Sequence, residues 1–213
     1  MKINNVRELI NKDYPIKYRS LIPAAIQRAY SAVYQLKEEI DFLNWGVAGN
    51  LDGHLKNIAV EHSIKMLIDN NNLPYEYYIA MNGRKNHKHI TLTSGNSTLT
   101  ISQTKSGNII PRRADYRVNN SLQNQIMFNF KEDPIGLKSS PYYVILTHGG
   151  KKEKVEFIRL GVPDCGANHW IEQLDILNEP YQVSINEEMI QEEQLVTLKN
   201  SLKNEVLNCG GEK

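Results

Sequence analysis

The stretch that most restricts the fold runs from Ile90 to Ser102. Ile90 and Leu92 alternate with Thr91 and Thr93, Ser94-Gly95-Asn96-Ser97 supplies a turn, and Leu99 and Ile101 alternate with Thr98, Thr100 and Ser102. A period of two, rich in β-branched residues and broken by a Gly/Asn turn, specifies a β-hairpin. The hairpin requires a sheet, and the rest of the chain must supply its neighbours and its cover.

The clearest helix precedes it. Ile22, Ile26, Ala29, Val33, Leu36, Ile40 and Leu43 recur at spacings of three and four, and Pro23 suits a first turn. A shorter helix over residues 1–19 ends before Pro15. Gly46, Gly49 and Gly53 punctuate an interhelix turn, which lacks the Gly-Lys-Ser/Thr of a phosphate loop. A second helix spans about Leu51 to Asn70. On it His54, Ile58, Glu61 and Lys65 fall within an arc of about 60°. Ordinary charge pairing on a solvated face accounts for this pattern, and so does a site into which Glu61 or His54 points.

Further on, Tyr75 to Met81 reads as a strand, Leu122, Ile126 and Phe130 mark a helix, and Tyr142 to Thr147 forms a continuous apolar strand in the sheet centre. Val155 to Leu160 pairs back on it. Asn168 to Leu177 reads as helical, and a last helix covers about Asn186 to Leu207. The expected fold is α+β: N-terminal helices packed on a mixed or antiparallel sheet of about five strands, with a C-terminal helix. The expected organisation is a single domain, with a helical extension over 1–50, a core over 51–180 and a tail over 181–213.

Charge suggests the functional surface. The 213 residues carry a net charge of only +1, so any polyanion partner must be held by local asymmetry. Arg84, Lys85, Lys88, Lys105, Arg112, Arg113 and Arg117 surround the hairpin against one acid, Asp115, whereas Glu179, Glu187, Glu188, Glu192, Glu193 and Glu205 make the tail acidic. Guanidinium forks match phosphate oxygens, hairpin hydroxyls add neutral donors, and Tyr116 offers a ring for base stacking. The same lysines and arginines would also serve to discourage edge-to-edge strand pairing.

From about residue 51 to 160, the order helix, strand, hairpin, helix, strands resembles the core of the PD-(D/E)XK restriction-endonuclease-like superfamily. The resemblance implies that Glu61 matches the family's helix acid and that Gln103-Thr104-Lys105 stands where (D/E)-x-K belongs, with Lys105 as the lysine. The acid of that motif is Gln103 here, and no aspartate lies between Arg84 and Ser102. An active member would need Mg²⁺, which prefers carboxylate oxygens. The resemblance therefore implies either a Mg-dependent endonuclease built on Glu61, Gln103 and Lys105, or an inactive relative in phage or genome defence.

Other motifs point less far. His148, Cys165 and His169 lie near Asp164, but one thiol and two imidazoles in loops fall short of a zinc set. Two cysteines exclude a disulfide scaffold, and no apolar run suggests a signal peptide or membrane span, so a cytoplasmic location is expected. Two other function classes stay open: a protein-interaction module (an inhibitor or adaptor in a host–phage setting, or a homodimer built on the 22–43 stripe) and a nucleotide- or phosphate-binding protein.

Overall fold

The computed structural model describes residues 6–83, 85–129, 141–180, 196–201 and 203–204. Helices α1 (Val6–Asp13), α2 (Ile16–Arg19), α3 (Ile22–Glu39), α4 (Asp41–Asn44) and α5 (Asp52–Asp69) come first. Strands β1 (Glu76–Met81), β2 (Lys88–Ser94) and β3 (Ser97–Gln103) follow, then α6 (Asp115–Asn129), β4 (Tyr142–Lys151), β5 (Lys154–Pro163) and β6 (Trp170–Asp175). Residues 196–201 are helical and carry the buried Leu198. Phe130 and residues 186–195, read above as helical, lie outside the described residues.

The stripe of α3 buries Ile22, Ile26, Ala29, Val33 and Leu36. It breaks at Ile40, whose φ of −119° and ψ of 101° are extended, so Leu43 reaches the core from the separate α4. A single 3-10 turn over Gly46–Leu51 then leads into α5.

The six strands form one sheet in the order β1-β2-β3-β4-β5-β6. All neighbours are antiparallel except β3 and β4, which run parallel because α6 carries the chain back across the sheet. The sheet has one strand more than the sequence suggests, because 168–177 contributes β6 instead of a helix. Ile171, Leu174 and Leu177 are three apart, yet β5 presents an open edge whose ladder this segment completes from Arg159/Asp175 to Pro163/Trp170.

Alternation along the strands builds three layers. Ile90, Leu92, Leu99, Ile101, Val144 and Leu146 join one apolar cluster with Ile10, Tyr14, Ile26, Tyr30, Leu36, Ala59 and Ile64 from α1, α3 and α5. Intervening residues face α6: buried Asn124 donates to the carbonyls of Tyr143 and Pro163 and accepts from the Tyr143 N–H at 2.7 Å. At the β2–β3 turn, Gly95 has φ +55° and sits against the Asp13 carboxylate, which also accepts from the Asn96 N–H at 3.0 Å. A side chain at Gly95 would be strained in backbone and crowded by Asp13, so the turn needs glycine. The α1–α2 corner is further held by Arg19, which is 5 % exposed and pairs with Glu179 at 2.6 Å while donating to Asn11 and to the Tyr14 carbonyl.

A strand fork lined by histidines

The central hairpin opens at one end. The pairing of β2 with β3 runs from Ser94/Ser97 to Thr91/Thr100 and stops, while Lys88 to Ile90 stay paired to β1 and Ile101 to Gln103 to β4. Where the ladder ends, the Ile90 N–H needs another acceptor. Glu61 of α5 provides it: Oε2 accepts from Ile90 at 3.2 Å and Oε1 accepts from the Asn57 side chain at 2.8 Å. Burial pushes the Glu61 carboxyl up to about 7, against the smaller opposing effect of these two hydrogen bonds.

Aromatic rings lead away from this carboxylate. The His54 and His87 ring centres are 6.1 Å apart, His87 and His89 lie 6.2 Å apart and nearly parallel, and His89 stacks on Tyr116 at 4.1 Å. His87, just before β2, and His89, on it, are two apart, and their rings are nearly parallel. His89 is buried, its Nδ1 has no partner among the described residues, and burial lowers its pKa to about 4, so its ring is neutral at pH 7. His87 is shifted downward too, first by burial and then by His54 and Arg117. Arg117, in the first turn of α6, lies 4.9 Å over the Tyr116 ring, donates to Ser102 Oγ at 2.7 Å and reaches the Arg112 carbonyl.

The mouth is a cleft of about 500 Å³ lined by His54, Asn57, Ile58, Glu61, Lys85, Asn86, His87 and Lys88. Its outer wall is the β1–β2 loop. Asn82 Oδ1 accepts from the backbone N–H groups of Asn86 and His87, and the Asn82 carbonyl accepts from Lys85. Lys85 adopts φ +54°, a conformation disfavoured for a residue with a side chain. Lys85 and Lys88 are exposed and form no ion pair among the described residues.

The fork brings together only part of what the sequence nominates. Glu61, Lys85 and Lys88 share the cleft, and Arg117 stands behind the histidine row. Gln103 points elsewhere: its amide nitrogen lies 3.5 Å from Tyr30 Oη and its Oε1 lies against Gly53, eight positions before Glu61 and so about 12 Å along the helix. Lys105 is exposed on the loop after β3, and Arg112 and Arg113 are exposed before α6. Arg84 lies outside the described residues. The Tyr116 ring already stacks on His89 and has Arg117 4.9 Å from its centre. His87 and His89 were legible only as parts of a basic flank; their spacing of two at the start of a strand was the available signal.

His148, Cys165 and His169 do not converge. His148 is fully buried with Nδ1 3.0 Å from Tyr30 Oη, beside Lys56, whose ammonium sits 4.4 Å over the Tyr30 ring. Asp164 instead closes a turn, accepting from the N–H groups of Asn168 and His169. No group of three or more His, Cys, Asp or Glu side chains among the described residues is arranged to hold a metal ion. Nor is any described helix long and apolar enough to cross a membrane. No family model matches the chain, and searches of curated proteins and of solved structures likewise return no match.

Proposed function

We propose that the chain is a nucleic-acid-interacting protein that holds the phosphodiester backbone across the strand fork. One observation carries the reading. A half-buried carboxylate, Glu61, sits where β2 and β3 part, and Lys85 and Lys88, exposed and without an ion pair among the described residues, stand at the rim of the cleft over it. Lys85 and Lys88 reach phosphate from the β1–β2 loop, while Arg112 and Arg113 extend the positive surface from the loop before α6. Because the net charge is only +1, attraction must come from this face and not from the molecule as a whole.

The nuclease-like reading has support in the sheet order. A helix, a three-strand meander, a helix and further strands is the order that the PD-(D/E)XK resemblance implies, and α5, β1 to β3, α6 and β4 follow in that order, with Glu61 at the fork. The metal-binding half of that resemblance has less behind it, because Gln103 faces Tyr30 and β2 carries His89 in place of an acid near the fork.

The test is binding of labelled single- and double-stranded oligonucleotides across a salt series, beside a Lys85→Ala/Lys88→Ala variant. Binding should weaken steeply with salt, and losing two phosphate contacts should lower the log–log slope by about 2. Binding that ignores salt, or that is identical in the variant, contradicts the reading.

A second reading, docking to a protein, has its own observation. Phe42, Trp45, Val47 and Leu51 are 55 %, 68 %, 57 % and 44 % exposed within one short segment between α3 and α5.

A further inference from the structure

The chemistry at the fork differs from that of a carboxylate-rich metal site. Among the described residues lining the cleft Glu61 is the one carboxylate, and its ionisable neighbours there are imidazoles and ammonium groups. Metal-assisted phosphodiester hydrolysis draws on several hard oxygen ligands. One carboxyl able to exchange a proton and one imidazole, lining the same cationic cleft, are instead the equipment of general acid–base catalysis. DNA cleavage needs an external water, which the base would have to hold in line as well as deprotonate. RNA carries its own nucleophile, the 2′-hydroxyl adjacent to each phosphate.

Resting on the nucleic-acid reading above, we propose that the fork cleaves RNA by internal transesterification, with Glu61 as general base and His87 as general acid. Glu61, as carboxylate, takes the proton of a 2′-hydroxyl. That oxygen forms a bond to phosphorus, the bond from phosphorus to the 5′-oxygen breaks, and protonated His87 delivers its proton to the departing oxygen. The products are a 2′,3′-cyclic phosphate and a 5′-hydroxyl, with charge and protons balanced and no co-reactant consumed.

Placement distinguishes the roles. Glu61 is fixed from two sides, by Ile90 and Asn57, as a base aimed at one atom must be. Its carboxyl titrates near neutrality, which suits a base that must gain and lose a proton at working pH. His87 stands in the same cleft between two other rings, 6.1 Å from His54 and 6.2 Å from His89. Its downward shift reflects burial first and then His54 and Arg117; the negative charge of an incoming phosphate opposes the second of these and favours the protonated ring that must donate. Lys85 and Lys88 neutralise the pentacoordinate phosphorane. His89, neutral and stacked on Tyr116, is a positioning residue that supports His87 from behind.

The experiment uses the full chain, an end-labelled RNA oligonucleotide and its all-deoxy counterpart, with EDTA present throughout. The RNA should be cut to a cyclic-phosphate terminus and the DNA bound but left intact. Glu61→Gln and His87→Asn should each lower the cleavage rate about 100-fold or more while oligonucleotide affinity stays within a few-fold. RNA that is bound yet uncut, or DNA cut as fast as RNA, overturns the cleavage proposal and leaves the binding reading standing. Failure to bind either oligonucleotide overturns the reading beneath both. The RNA–DNA contrast uses only the parent protein, so it decides the matter even if a variant folds poorly.

Discussion

Glu61 couples the site to stability. In the unfolded chain its carboxyl ionises near the ordinary 4.5, and in the folded chain near 7. The folded state holds the proton more tightly, so this group costs nothing below pH 4.5. Its destabilising effect grows as pH rises from 4.5 to 7 and is constant above, about 3 kcal/mol in full. Glu61→Gln keeps the acceptor for the Ile90 N–H and loses the charge. In urea unfolding the variant should gain on the parent between pH 5 and pH 8; a difference that does not change with pH would show that Glu61 ionises normally. His89 and His148 act in the opposite direction. Burial lowers both, to about 4 and about 3, so each contributes stability that is lost as pH falls below 6.5. The individual site residues were unevenly legible. Glu61 was readable because helical spacing places it with His54 and Lys65. The orientation of Gln103 was not, since it depends on Tyr30 and Gly53, distant in sequence and brought beside it by α3 and α5.

Among the elements, the N-terminal helices depend on one clasp. Arg19 links the α1–α2 corner to the segment after β6 through Glu179. Glu179→Ala would leave a guanidinium that is 5 % exposed without its counter-charge, at a cost of about 3 kcal/mol. A clear fall in Tm should follow, with protease cutting appearing first near residues 14–21. An unchanged Tm would mean that Asn11 and the Tyr14 carbonyl suffice. Elements with strong internal period were legible: the hairpin, α3, α5 and the β4 strand. β6 was not, because a six-residue window cannot separate the two periods and the open edge of β5 decided between them. The fork was equally hidden. Which residues alternate is written locally, but where pairing stops depends on β1 and β4 pulling the strands apart and on Glu61 taking the freed N–H.

On the scale of the whole molecule, a near-neutral chain exposes Lys85 and Lys88 at the cleft, and further lysines, Lys151, Lys152 and Lys154, on the β4–β5 turn. Lys85 and Lys88 stand on a loop tied down by Asn82, and Arg112 and Arg113 stand on the approach to α6. The deep side of the same fork holds a carboxylate and a row of rings. On the proposed reading, nucleic acid lies at this fork and nowhere else. Histidine ring signals report this most directly, because the six histidines sample separate parts of the molecule. Titrating isotope-labelled protein with a short all-deoxy oligonucleotide should shift the His54 and His87 rings strongly and His89 less, while His148, sealed against Tyr30, and His169, on the far turn after β5, stay in place. Shifts confined to His169, or an oligonucleotide that binds without moving His54 and His87, would contradict the claim.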